Sequence, residues 1–286
     1  AAGVALALAP LAFAAGPADR VVVGAKNFSE QYILADVMAG RLRGAGYAVT
    51  TKSDLGSAIA YRALARGEID VYVDYTGTLW TNVLKRTDNP PRKVVLDQLT
   101  AVLKTRDGVL ALGPLGFENA YALAMRRTRA EALGVHSIAD LAVRAPTLTL
   151  GSDLEFLSRP EWAALDRAYG LRFKAERRYQ PTFMYKAVTS GEADVISAFS
   201  SDGRIAADDL VVLSDPKQAI PPYDAVILVS PKRAGDSRFL AALRPLVGAV
   251  PVEAMRRANL SVDRDADKAT PAQAARALEA VIGRRP

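Results

Sequence analysis

Apolar positions along this chain fall into short runs bounded by glycine, proline and polar turns, alternating with stretches of helical spacing. Val21-Val22-Val23-Gly24 and Leu148-Thr149-Leu150-Gly151 read as strands that run into glycine. Each leads through a polar turn to a predicted helix, Glu30 to Arg43 in one case and Pro160 to Tyr169 in the other. Two longer runs, Tyr121-Ala-Leu-Ala-Met125 and Ala225-Val-Ile-Leu-Val229, are hydrophobic at every position, as strands buried on both faces must be.

The pattern repeats. Tyr61-Arg-Ala-Leu-Ala-Arg-Gly67-Glu68-Ile-Asp70-Val71 aligns without gaps against Tyr185-Lys-Ala-Val-Thr-Ser-Gly191-Glu192-Ala-Asp194-Val195, at a constant offset of 124 residues. Both copies read as a helix closed by a glycine C-cap, followed by a strand opening on Asp-Val. In the same register Tyr75 falls opposite Phe199, so each half delivers an aromatic ring to one structural place. No low-complexity linker separates the halves. The predicted architecture is α/β, with two lobes around a cleft and two hinge-crossing strands. Lobe one covers 20–122 and 226–286, lobe two covers 123–225, and residues 231–286 form helices closing lobe one. A single doubly wound sheet is the alternative.

Residues Val4 to Ala14, VALALAPLAFA, form an apolar run ending in a small-x-small pattern, which predicts a signal peptide over 1–15 whose start precedes Ala1. The run is shorter than the roughly 20 residues needed to span a bilayer. Export places the protein in a periplasm, and the absence of cysteine from the sequence excludes a lipid anchor carried on an N-terminal Cys.

Composition narrows the chemistry. With 286 residues, half of them hydrophobic, there is material for one large or two ordinary domains. Zero Cys removes disulfides, CxxC sites and thiol nucleophiles, and a lone His136 in GVHS reads as a surface or capping residue. No cofactor or metal is expected. The net charge of +6 comes from scattered residues, with short clusters at Arg126-Arg127-x-Arg129 and Arg177-Arg178, which gives no basis for nucleic-acid binding.

Strand ends and their facing loops carry Lys26, Asn27, Tyr75, Thr78, Asn119, Tyr121, Arg159, Phe199 and Tyr223. Four of these are aromatic and come from separate segments, and ring faces attract a cation by about 0.5–2 kcal/mol each, most strongly where water is excluded. Quaternary ammonium suits such a cage because it has no N–H to satisfy. Lys26, Arg159 and Thr78 are donors that favour an anion. Cage and donors together describe a zwitterion with a methylated cation at one end and a carboxylate at the other. Acid/base pairs that an enzyme would use, Asp70 with Asp74 and Asp153 with Glu155, have no nucleophile beside them, and no GxxxxGK[ST] segment is present for ATP.

Six ordered motifs carry a resemblance: Gly24-Ala-Lys26-Asn27-Phe28-Ser29-Glu30-Gln31, Asp74-Tyr75-Thr76-Gly77-Thr78, Asn119-Ala-Tyr121, Glu155-Phe156-x-x-Arg159-Pro160, Ser201-Asp202-Gly203-Arg204-Ile205 and Pro221-Pro222-Tyr223-Asp224-Ala225. Together the chain resembles the glycine betaine/choline/carnitine substrate-binding proteins of osmoprotectant ABC importers. The resemblance implies a two-lobed class II periplasmic-binding-protein fold, with Tyr75, Tyr121 and Tyr223 as cage walls and Lys26, Thr78 and Arg159 on the ligand carboxylate. It sets Asn119 at the rim, where some relatives carry Asp. The fourth wall, commonly Tyr in relatives, is Phe199 here. It further implies a monomer that hands its ligand to an ABC permease driven by a cytoplasmic ATPase. The ligand would be glycine betaine or similar, with carnitine, ergothioneine or choline as alternatives, and an enzyme or a sensor module on the same fold as a more distant reading.

Overall fold

The computed structural model describes residues 19–283 of the chain, so the signal-peptide expectation lies outside the described residues. Among the described residues ten strands form two sheets: β1 (Arg20–Lys26), β2 (Ala48–Leu55), β3 (Val71–Tyr75), β4 (Leu110–Glu118), β5 (Tyr121–Arg126), β6 (Thr149–Ser152), β7 (Ala175–Arg178), β8 (Val195–Phe199), β9 (Leu210–Val212) and β10 (Asp224–Val229). The first sheet runs β2-β1-β3-β10-β4 and the second β7-β6-β8-β5-β9. In each, three strands are parallel and the fourth enters antiparallel, β10 beside β3 and β5 beside β8. The two sheets therefore share one topology, as the repeat predicts.

That antiparallel strand comes each time from the other sheet. The chain leaves the first sheet after β4 and enters the second at β5 across only Asn119 and Ala120, and it returns between β9 and β10 through 213–223. Pro216, Pro221 and Pro222 fall in that return, and without N–H groups they cannot extend a ladder. β10 is buried at all six positions and β5 at its first five. Alternate residues of β10 serve opposite faces of the first sheet, with Ala225, Ile227 and Val229 in one apolar cluster and Val226 and Leu228 in the other.

Helices cover both faces of each sheet. Ser29–Gly44 packs on the first sheet with the C-terminal helices Ser237–Leu243, Val252–Asp263 and Pro271–Ile282, and Ser57–Ala65 with Arg92–Asp107 covers the opposite face. On the second sheet Ile138–Arg144 and Pro160–Tyr169 cover one face and Pro181–Ser190 the other. His136 is exposed just ahead of the capping box made by Ser137 and Asp140, and its backbone N–H donates to the Asp140 carboxylate at 3.0 Å.

The half-copies agree in chemical detail. Asp70 accepts from the Val22 N–H at 2.8 Å, and Asp194 accepts from the Thr149 N–H at 3.0 Å. Each aspartate thereby ties the loop before its own strand to the neighbouring parallel strand. Gly24 lacks a Cβ that would lie 2.5 Å from Ile69, and a Cβ on Gly151 would lie 3.1 Å from Ala193. Ile69 and Ala193 are themselves equivalent in the repeat.

Candidate ligand-binding site

Both sheets present the same edge to the space between them. β3 and β8 end there on Tyr75 and Phe199, and because β5 is antiparallel its first residue, Tyr121, lies directly opposite Phe199 in register. Carboxyl ends of parallel strands are where ligands bind in open α/β sheets, and the antiparallel strand brings its amino end to the same edge.

On the first sheet, Lys26 closes β1 and its Nζ lies 2.6 Å from Asp74 Oδ1, both side chains being buried. The same ammonium is 3.5 Å from Ser57 Oγ and 4.8 Å from the centroid of the Tyr75 ring. Asp74 is further held by the Tyr72 hydroxyl at 2.6 Å and by the Tyr75 N–H at 2.9 Å. The Tyr75 hydroxyl donates to Glu30 Oε1 at 2.5 Å and accepts from Gln31 Nε2 at 3.2 Å. Glu30 also accepts from Asn119 Nδ2 at 3.1 Å and from Asn259 Nδ2 at 2.9 Å. Burial pushes the Glu30 carboxyl above its ordinary range, against the opposing pull of hydrogen bonds from Tyr75, Ser201, Asn259 and Asn119.

On the second sheet, Phe199 is 42% exposed, and its ring lies 4.6 Å from that of Tyr121. Tyr121 also packs on Phe156, and its face receives the Arg159 guanidinium at 5.0 Å. Desolvation by burial raises the Tyr121 hydroxyl to about 12. Arg159 precedes the helix Pro160–Tyr169, with proline at the first helical position, where no N–H is needed. Its guanidinium grips Glu161 through Nε at 3.1 Å and Nη2 at 3.0 Å. Glu161 is buried and accepts also from the Tyr223 hydroxyl at 2.9 Å. Burial pushes the Glu161 carboxyl up, but Arg159 and its other donors outweigh this and hold it below its usual range.

Tyr223 reaches Glu161 from the return crossing. Its carbonyl accepts from the Asn119 N–H at 3.1 Å, and its ring lies over the backbone of Gly77, where a Cβ would come within 2.5 Å of Tyr223 Cζ. Thr78 follows in the same turn and, with Asp74 and Ser57, lines a cavity of about 330 Å³ that also meets Arg62 and Arg106. A second cavity of about 700 Å³ lies along the crossings, bounded by Asn89 to Lys93, by Glu118 and by the segment around Pro221.

Eight of the nine residues singled out in the sequence thus stand in one neighbourhood, and the ninth, Asn27, is exposed just beyond β1. Tyr75 is joined through Glu30 to Asn119, Asn119 to Tyr223, Tyr223 through Glu161 to Arg159, and Arg159 to Tyr121 and Phe199. Sequence reasoning missed Glu30 and Glu161 as connectors and read Asp74 only as an acid/base candidate, whereas it is the partner of Lys26. Glu30 and Glu161 each sit in the first turn of a helix, where acids usually just complement the dipole in water. Their adjacency to motif residues was the available signal.

The acid/base candidates have other duties. Asp70 is paired with Arg233 at 3.2 Å, and Asp153 caps a turn by accepting from the N–H groups of Glu155 and Phe156. Among the described residues no group of three metal-ligating side chains occurs, and no helix is long and apolar enough to cross a membrane.

Residues 19–278 match the family described as the substrate-binding domain of ABC-type glycine betaine transport systems. A glycine-betaine-binding protein of Pseudomonas aeruginosa is 30% identical over 269 residues, covering 88% of this chain and 85% of the relative. An ergothioneine transport permease/ergothioneine binding protein of Helicobacter pylori is 30% identical over 213 residues. That match takes in 73% of this chain but 38% of the relative, so the chain spans about two fifths of that protein's length. Among solved structures, a glycine betaine/carnitine/choline ABC transporter structure superposes with a TM-score of 0.84 at 27% identity, covering 90% of this chain and 96% of the other. The chain belongs to the substrate-binding family of ABC-type glycine betaine transport systems.

Proposed function

We propose that this protein captures a quaternary ammonium zwitterion, glycine betaine or a close analogue, between its two lobes and delivers it to a membrane permease. The observation that carries the reading is the arrival of Tyr75, Tyr121 and Phe199 at the facing edges of two sheets and of Tyr223 from the return crossing, in one network with two cationic side chains. The rings enclose the methylated headgroup. Its carboxylate faces Lys26, Thr78 and Arg159, with Asn119 at the rim. Glu161 occupies Nε and Nη2 of Arg159, which leaves the Nη1 edge, 3.7 Å from Glu155, to share with an incoming carboxylate.

In this reading the lobes are the two sheets with their helices, and the expected bounds of 20–122 with 226–286 and 123–225 shift by two residues, since Tyr121 and Ala122 lie in β5 and Asp224 and Ala225 in β10; the lobes close over the ligand by bending where the chain crosses between sheets. The protein acts as a monomer in the periplasm, binds without chemical turnover, and relies on a cytoplasmic ATPase partner for the energy of import. A second reading, a longer trimethylated compound such as carnitine or ergothioneine, is favoured by the cavity shared by Asp74 and Thr78, which Arg62 and Arg106 also line. A thermal-shift screen of glycine betaine, carnitine, ergothioneine, choline, proline and unmethylated glycine separates these readings. Stabilisation by trimethylated zwitterions alone is expected, and stabilisation by glycine or proline alone would reject both.

A further inference from the structure

Two of the four cage rings differ from the others in what lies behind them. The Tyr75 hydroxyl donates to Glu30 at 2.5 Å and the Tyr223 hydroxyl to Glu161 at 2.9 Å, and both carboxylates are buried, at 3% and 4% exposure. Phe199 has no hydroxyl, and the Tyr121 hydroxyl has no hydrogen-bond partner among the described residues. The rings rooted in the first sheet and the return crossing are therefore backed by acids, whereas those on the second sheet are plain.

A carboxylate accepting a phenol hydrogen bond draws the proton away and leaves more electron density on the ring, deepening the negative face that a cation meets. The charges near the site also do not cancel. Lys26 is matched by Asp74 and Arg159 by Glu161. The donors to Glu30, in contrast, are Tyr75, Asn119, Asn259 and Ser201, all of them neutral. In its ionised form, which its four donors favour against burial, Glu30 adds a negative charge behind the Tyr75 ring, in surroundings that screen it little.

We propose that Glu30 and Glu161 are the specificity-determining residues for positive charge, acting through the tyrosine hydroxyls they accept from. This rests on the cage reading above. Without the two acids the cage would still bury a tert-butyl-like head, but it would distinguish a charged one from a neutral one only through the ring quadrupoles. Neither acid touches the ligand, so they are positioning and polarising groups.

The test compares glycine betaine with its uncharged-head isostere 3,3-dimethylbutanoate, which has carbon in place of nitrogen and the same carboxylate. Calorimetric titration of betaine, and displacement of betaine by the isostere, are carried out on the whole chain and on Glu30→Gln, Glu161→Gln and Tyr75→Phe. The betaine-to-isostere affinity ratio is expected to fall roughly tenfold in Glu30→Gln and in Glu161→Gln, as loss of a nearby weakly screened charge requires, and to fall in Tyr75→Phe because the hydroxyl through which Glu30 polarises the ring is gone. In the Glu30→Gln/Tyr75→Phe double variant it should fall no further than in the single ones. Because Glu161→Gln also releases Arg159, its effect on carboxylate binding is common to both ligands and drops out of the ratio. Equal weakening of both ligands, with the ratio held within about twofold, would overturn the proposal and leave only a structural role for these acids. Tyr75→Ala and Tyr223→Ala serve as the control on the cage itself: they should weaken both ligands, and if neither variant changes betaine binding the cage reading fails and this inference falls with it.

Discussion

Gly77 is glycine because the ring of Tyr223 lies where its side chain would be. A methyl group there must push the ring away, since the contact would be with the aromatic carbons and not with a flexible chain end. Gly77→Ala is expected to leave the fold intact but to displace one cage wall, costing at least about 1 kcal/mol of betaine binding. Calorimetry on a variant with an unchanged far-ultraviolet circular dichroism spectrum checks it, and undiminished affinity would place Tyr223 outside the site. Glu30 and Glu161 make opposite contributions to stability with pH. The folded value of Glu30 is raised above 4.5, so its folded state holds the proton more tightly than the unfolded chain. The stability this supplies is full below 4.5 and is lost as pH rises through the folded value. Glu161 is lowered, so its contribution is present above 4.5 and is lost as pH falls through its folded value. Melting temperatures of Glu30→Gln should gain on the parent as pH rises from 4.5, and those of Glu161→Gln should gain on it as pH falls below 4.5. Parallel curves for parent and variants would show that neither carboxyl titrates differently on folding.

At the level of elements, the sequence repeat was legible because it records a backbone requirement. A glycine is needed to end each helix, with φ of +69° at Gly67 and +82° at Gly191. An aspartate is needed to pin each strand to its parallel neighbour, and an apolar run is needed wherever a strand is covered on both sides. Those constraints act within one or two elements, so they leave a local signature. The predicted helices and strands accordingly sit within a few residues of their observed bounds, as with Pro160–Tyr169. What stayed hidden was burial of acids at helix starts. Nothing within eight residues of Glu161 says that Tyr223 will reach it from the far side of the return crossing. The equivalence of Asp70 and Asp194 also breaks where surroundings differ. Asp70 is fully buried against the buried Arg233, while Asp194 meets Arg129, whose side chain is 40% exposed. Asp70→Asn should therefore cost about 3–5 kcal/mol in urea unfolding, and Asp194→Asn about 1 kcal/mol or less. Equal costs would mean that the backbone hydrogen bonds, common to both, carry the stabilisation.

Over the whole molecule the two sheets are joined by more than the two crossings. Arg256 and Asn259, on a helix packed against the first sheet, donate to the carbonyls of Ser200 and Ser201 just beyond β8, at 2.8 and 2.9 Å. Gly203 lets that loop settle on the helix, where a Cβ would come within 2.4 Å of the Leu260 nitrogen. Asn259 binds Glu30 as well, so the tether between sheets and the acid behind Tyr75 share one side chain. This shared residue links the surroundings of Tyr75 to the relative placement of the two sheets. The central claim, that separate segments of the chain assemble aromatic faces around an N-methylated cation, is tested most directly by calorimetric titration with glycine, N-methylglycine, N,N-dimethylglycine and glycine betaine in turn. The carboxylate is constant across the series and only the methyl count changes. Affinity is predicted to rise with each methyl group and to be greatest for glycine betaine; equal affinities, or tightest binding of unmethylated glycine, would contradict the account.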